Sequence, residues 1–293
     1  MRSYLEHFFH TYQYPREDAE LLLSAYDRIA SDAAAKELWD RAMRLYEERI
    51  DCDYEEIIAL CDRVAGLLYL HEYTLELLIF ICLSRQTEKE YRKHGIENQI
   101  FHDTMLDLRY KMEECKMVKG IVGTFVWDWF KGFFDLTRFA LGRLQFEIIK
   151  FDDEFQKNGK VLTPDCNVIN VHIPRTATPL DPQSCDRAFR MARDFFGTRL
   201  GCPCAFVCYS WLLYPEHEEM LSKESNVYRF MRRFDLLKWK VDKGRGDLWR
   251  LFDTDEKDPD KLPTDTSMRR AYVRHLKNGG KVGSARGVFF FEE

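Results

Sequence analysis

The sequence predicts an α+β protein in two parts, an all-helical N-terminal domain over residues 1–138 and a mixed α/β sheet domain over residues 139–293. Three observations predict it. Apolar residues recur at helical spacing through roughly the first 140 positions. The period shortens to two at Arg143–Ile148 and again at Asn167–Ile173. The 293-residue length suits two domains at roughly 100–200 residues each.

The helical half reads element by element. Pro15 suits a first helical position, followed by Leu21, Leu22, Ala25 and Ile29 on one stripe. Ser31 or Asp32 caps the next helix, and Asp53 precedes another. The segment Leu67–Arg92 is strongly apolar and stops before His94-Gly95. A further helix carries Ile100, Phe101, Leu106 and Met112, and the aromatic run Thr124–Thr137 reads as a seam between domains, with a ligand-contacting wall as the alternative.

In the second half, Asn158-Gly159 marks a hairpin turn, and Pro182–Leu200 reads as a helix capped by Asp181. Ala205–Leu213 reads as an apolar strand, Pro215–Leu221 as a short helix and Val227–Trp239 as a long alternating strand. Thr266 caps a helix to Asn278, and Lys281–Phe291 forms a last strand or hairpin.

Composition narrows the function classes. Apolar residues are 45% and charged residues 32%, the balance of a folded globular chain. Met1–His10 lacks an apolar core, so no secretory signal is expected, and the apolar stretch Thr74–Leu83 is too short for a bilayer. The nine cysteines, odd in number, read as reduced thiols in a cytoplasm. Cys202-Pro203-Cys204 has no partner pair, so no metal site is expected. From Val227 onward the net charge is +5 against −10 before it, which suits either an anionic ligand or a solvated surface.

The strand near residue 145 carries the first chemical signal. Arg143, Gln145 and Glu147 fall on one side at spacing two, and Asn170 and His172 do the same on a later strand. Inside a sheet these rows would share one cavity, because buried polar groups need partners. The alternative is a row facing solvent, with Arg143 and Glu147 paired across the surface. The turn Pro174–Asp181 leads into a helix whose N-terminus offers N–H groups to an anion, with Arg175 beside it. Two prolines, no glycine and an acidic cap argue against phosphate wrapping there. Val227–Arg250 interleaves eight basic residues with aromatics, but the negative overall charge disfavours nucleic acid. His217, among acidic neighbours, reads as part of a solvated helix face.

Gly142-Arg143-Leu144-Gln145-Phe146-Glu147, Val168–Pro174, Phe206–Leu213 and Ser225–Phe230 with Arg233-Phe234 resemble a bacterial acyltransferase-domain family, as do Tyr91–Ile96 and Phe101–Arg109 upstream. That family joins a helical N-terminal N-acyltransferase domain to a C-terminal domain similar to the GCN5-related N-acetyltransferases (GNAT-like). The resemblance implies acyl-CoA or acetyl-CoA as co-substrate, no metal, and a small-molecule or peptide amine as acceptor. It implies donor contacts at Asn170, Val171, Ile173, Arg175 and Ser184, although the usual pyrophosphate signature Q/R-x-x-G-x-G/A is absent from this loop. Glu147 is then the expected base if burial raises its pKa, with His172 as the alternate. Tyr209, Ser210 or Tyr228 would protonate the departing thiolate, and Arg143, Gln145 and Arg233 would contact the acceptor. The competing expectation is a non-catalytic binding or regulatory module that kept the fold without the donor site.

Overall fold

Helix caps and apolar stripes set the first half of the chain. α1 (Arg2–Thr11), α2 (Arg16–Ser31), α3 (Ala33–Glu48), α4 (Tyr54–Leu68), α5 (Glu72–Lys93) and α6 (Asn98–Lys119) follow one another, and a short 3-10 turn leads into α7 (Lys131–Phe134). Asp32 accepts from the Ala35 amide and Asp53 from the Glu56 amide, side-chain caps worth about 1 kcal/mol each. α5 is buried almost all round from Leu75 to Leu83, which makes it the central helix of its unit. The computed structural model describes residues 1–48, 52–200 and 203–291, so Cys202 lies outside the described residues. The chain divides into two compact units, Met1–Leu136 and Thr137–Glu293.

The aromatic run after residue 124 serves the helical unit itself. Phe130 and Phe134 meet Phe80 at centroid distances of 5.2 and 5.0 Å, and the Tyr91 hydroxyl donates to the Phe133 carbonyl. Gly123 lies so close to the Tyr73 backbone that a Cβ there would stand 2.4 Å from its carbonyl carbon.

The second unit is built on a six-stranded sheet in the order β1-β2-β5-β6-β8-β7. Its strands are β1 (Arg138–Leu141), β2 (Leu144–Lys150), β5 (Asn167–His172), β6 (Ala205–Ser210), β7 (Asp235–Val241) and β8 (Gly283–Phe290). A separate hairpin joins β3 (Phe155–Lys157) to β4 (Lys160–Leu162) through Asn158 and Gly159, both at positive φ as such a two-residue turn requires. The helices are α8 (Pro182–Phe196), α9 (His217–Met220), α10 (Asn226–Met231), α11 (Trp249–Phe252) and α12 (Ser267–Lys277). β5 and β6 are parallel with α8 between them in sequence, a crossover unit, and the other sheet pairs are antiparallel.

Register divides the sheet into two faces. Phe146, Phe206 and Phe289 share one of them and meet Phe189 of α8 at 6.0, 4.9 and 5.1 Å. The other face has an apolar half, where Val168, Ala205, Val207, Val288 and Phe290 pack under Phe155 and Leu162 of the small hairpin. Its remaining half is polar and carries Gln145, Glu147, Asn170 and His172.

Three sequence expectations need correction here. Val227–Trp239 is not one strand: Ser225 accepts from the Tyr228 amide and starts α10, and β7 begins only at Asp235. A local cap prevails over alternation, and the basic-aromatic residues from Tyr228 to Arg233 do not form a strand face. Arg143 is not in the strand row, because Gly142 takes φ +68° in the two-residue β1–β2 turn and Arg143 occupies the turn's second position. His217 is not solvated but 2% exposed. Its ring donates from Nδ1 to the Leu212 carbonyl and accepts at Nε2 from the Tyr272 hydroxyl, fixing α9 to α12.

Candidate active site

The polar half of the sheet is organised around one carboxylate. Glu147 sits mid-strand on β2, directly opposite Arg138 on β1 and Asn170 on β5. Arg138 donates from Nε and Nη2 to Glu147 Oε2 at 3.2 and 3.1 Å. Asn170 Nδ2 donates to Glu147 Oε1 at 3.0 Å, and His172 Nε2 lies 2.6 Å from that same oxygen. Asn170 Nδ2 and His172 Nε2 are themselves 3.1 Å apart. Two N–H donors cannot satisfy each other, so both serve Glu147, and His172 carries its proton on Nε2 with Nδ1 as the basic nitrogen.

Charge states follow. Burial pushes the Glu147 carboxyl up, but the hydrogen bond from His172 and the Arg138 charge outweigh it and hold the group at about 2. The expectation that burial raises this pKa is therefore reversed. Burial, reinforced by the Arg138 charge, pulls His172 below the usual imidazole value despite the opposing pull of Glu147. At neutral pH the pair is a carboxylate hydrogen-bonded to a neutral imidazole.

The neighbouring strands pair over only part of their length. The ladder between β5 and β6 covers Ile169/Phe206 and Asn170/Val207, whereas the strands run on to His172 and Ser210. Their C-terminal ends extend past the paired stretch. Tyr209 lies one strand over on the face of His172, 52% exposed, with Lys240 Nζ 5.4 Å from its ring centroid. Gln145 stands opposite His172 in the register and is 1% exposed.

The other expected site residues lie apart from this cluster. Val171 is buried on the opposite face, and Ile173 follows the end of β5 half-buried. Ser210 accepts from the Leu212 amide and caps a 3-10 turn. Arg143 Nη1 donates to the Pro174 carbonyl at 3.0 Å, tying the β1–β2 turn to the loop after β5. Arg175 pairs with Asp253, which also holds Arg269. Ser184 donates to the Asp181 carboxylate at 2.7 Å, and Asp181 Oδ1 accepts from the amides of Gln183 and Ser184 at 3.0 Å each. The α8 N-terminus is thus filled by its own cap. Arg233 donates to Asp186 and to the Pro182 carbonyl, and it lines a groove of about 390 Å³ with Phe189, Arg190, Phe289 and Phe291, away from the Glu147 cluster.

Arg138 is the residue that sequence reading missed. Its signal was present: a two-residue turn at Gly142-Arg143 pairs Leu141 with Leu144, and counting back three positions sets Arg138 opposite Glu147. Among the described residues no cluster of His, Cys, Asp and Glu could hold a metal ion, and no helix is long and apolar enough to cross a membrane.

Comparison with known proteins shows what the fold is similar to. The whole chain is similar in structure to an acyltransferase mutant in complex with octanoyl-CoA, with TM-score 0.77 and 22% identity over 98% of this chain and 88% of that one. An acyltransferase in complex with decanoyl-CoA gives TM-score 0.76 and 23% identity, covering 98% and 87%. An acyltransferase in complex with decanoyl-CoA and teicoplanin gives TM-score 0.75 and 21% identity, covering 98% and 88%. No curated protein matches the sequence. Residues 3–136 match the N-acyltransferase N-terminal domain. With residues 138–289 matching its family model, the chain belongs to the family of proteins with a GNAT-like C-terminal domain.

Proposed function

We propose that the protein is an acyl-CoA-dependent N-acyltransferase in which His172, oriented by Glu147, is the general base. The observation that carries this is the 2.6 Å contact between Glu147 Oε1 and His172 Nε2 on the polar half of the sheet. A carboxylate held at about 2 is too weak a base to deprotonate an amine, but it fixes the tautomer of the imidazole beside it. His172 Nδ1 takes a proton from the acceptor nitrogen as that nitrogen attacks the thioester carbonyl. The new C–N bond forms, the C–S bond breaks, and the CoA thiolate takes a proton from Tyr209 or back from His172. The products are an amide and free CoA. The structural neighbours include proteins bound to octanoyl-CoA and decanoyl-CoA, which supports a medium-chain acyl donor. One neighbour also holds the glycopeptide teicoplanin, which supports a peptide-like amine acceptor.

CoA release from octanoyl-CoA, with and without an amine, tests the reading. His172→Ala lowers turnover by about 10²–10⁴-fold, the usual contribution of a general base. Because its pKa lies below the usual value, the rising limb of the pH–rate curve falls below pH 6.5. Full turnover by His172→Ala, or a limb well above pH 7, overturns the assignment.

One observation favours a second reading, a binding module without donor chemistry. Arg175 and the α8 N-terminus, which the resemblance assigns to the CoA phosphates, are engaged by Asp253 and Asp181. Calorimetry with acetyl-CoA and octanoyl-CoA decides, and no heat at millimolar donor favours the module.

A further inference from the structure

The sheet face that carries Tyr209 also carries a row of cations. Tyr209 on β6 stands opposite Arg286 on β8, Arg286 stands opposite Lys238 on β7, and Ser284 stands opposite Lys240. Residues paired in register share a face, so Tyr209, Arg286, Lys238 and Lys240 lie side by side. Two of these cations are matched by carboxylates, Arg286 by Asp152 and Lys238 by Asp153 at 2.9 Å. Lys240 forms no ion pair among the described residues. It is exposed, its Nζ lies 5.4 Å from the Tyr209 ring centroid, and it donates a hydrogen bond to the Tyr209 hydroxyl. The ammonium therefore sits at the oxygen end of the ring. Among the described residues that hydroxyl has no other partner, and Tyr209 is half open to solvent near the end of β6, beyond its pairing with β5. A lysine ammonium has donors and no acceptor, whereas a phenol has one proton and free lone pairs. Lys240 thus occupies a lone pair of the phenol oxygen and leaves the O–H turned away from itself.

We infer that Lys240 is a positioning residue that makes Tyr209 the proton donor to the departing CoA thiolate. The inference rests on the proposed function and chooses between the two proton sources that function allows. As the tetrahedral adduct collapses, the C–S bond breaks with its electron pair on sulfur, and the Tyr209 proton passes to that sulfur. The phenolate left behind is held by the Lys240 ammonium, since a hydrogen bond from a cation favours the anionic form of an oxygen. A proton from solvent then restores the phenol, replacing the one that the acceptor nitrogen gave up to the base. The contact also raises the Lys240 pKa, so the lysine stays charged at neutral pH. Lys240 touches neither donor nor acceptor in this step and acts only through Tyr209.

Release of CoA from octanoyl-CoA, with glycinamide as the acceptor probe, tests this in four proteins: wild type, Lys240→Met, Tyr209→Phe and the double variant. Each single substitution is expected to lower kcat about tenfold or more, with the KM for octanoyl-CoA within about twofold of wild type. In the Tyr209→Phe background, Lys240→Met should cost less than about twofold further, because residues that act as one unit lose their effect together. Full kcat in either single variant overturns the inference. So do losses that multiply in the double variant, or a raised KM with kcat intact, either of which would make Lys240 a direct contact to the donor. Both side chains are open to solvent, so melting temperatures should match wild type, and a Lys240→Met protein that melts several degrees lower assigns the lysine a structural role instead. CoA release by wild-type protein and its loss in His172→Ala establish the parent reading separately. If wild-type protein releases no CoA, that reading fails and the Lys240 assignment falls with it.

Discussion

Two glutamates, one buried in the helical unit and one half-buried in the sheet unit, meet opposite fates. Glu147 in the sheet is surrounded by Arg138, Asn170 and His172 and stays ionised, held at about 2. Glu76 in α5 is 6% exposed and its Oε2 has no hydrogen-bond partner. Burial, aided by the charges of Asp62 and Glu72, pushes its carboxyl up to about 8. Burial acts in the same direction on both, and the partners decide the outcome. In α6, Lys111 and Glu114 have side chains about 8% exposed and meet at 2.8 Å. The ionised, multiply bonded carboxylate is the one that sits beside an imidazole, and the isolated one has no such neighbour to orient.

Breaking the Glu147 cluster has the largest expected effect. Glu147→Leu removes the carboxylate to which Arg138, Asn170 and His172 donate, and lowers stability in chemical denaturation by about 1–3 kcal/mol. It also removes the group that fixes His172, so octanoyl-CoA turnover drops with it. Glu147→Gln keeps the shape, and a variant that retains full turnover would show that the charge does not matter.

Glu76 should respond in the opposite sense. Its folded pKa is raised, so its contribution to stability is complete below about 4.5 and is lost as pH rises toward 8. At pH 7 the penalty is roughly 3 kcal/mol, which Glu76→Gln removes. Melting curves at pH 5 and pH 8 check this: the wild type should lose stability between them, and the variant should lose less.

His217 gives an effect of similar size with the reverse sign. Burial pulls its pKa down to about 4, so the unfolded chain binds the proton first as pH falls. Stability present above pH 6.5 is lost down to about pH 4, by roughly 3 kcal/mol. Stability measured from pH 7 to pH 4 should fall less steeply in His217→Gln than in wild type. The smallest effect belongs to a cap outside any buried cluster. Ser225→Ala removes the acceptor for the Tyr228 amide and lowers stability by about 1 kcal/mol, without moving the pH dependence of turnover.

The amino-acid sequence determined the helical first half, the β-strand periods at 145 and 169, the Asn158-Gly159 turn and the caps at Asp53, Asp181 and Thr266. All of these are local: a cap or a hairpin turn is decided within a few residues, and amphipathic spacing within two turns of helix. It also brought Glu147, Asn170 and His172 into one row, because alternation along a strand fixes which side chains share a face. Only the tertiary structure decided what that row does. Charge states depend on which strands become neighbours, and β1 brings Arg138 to Glu147 while β5 brings His172. The same holds for His217, buried by a helix 55 residues away, and for Arg175, bound to an aspartate 78 residues on. Long-range partners set electrostatics and burial, and no window of sequence contains them.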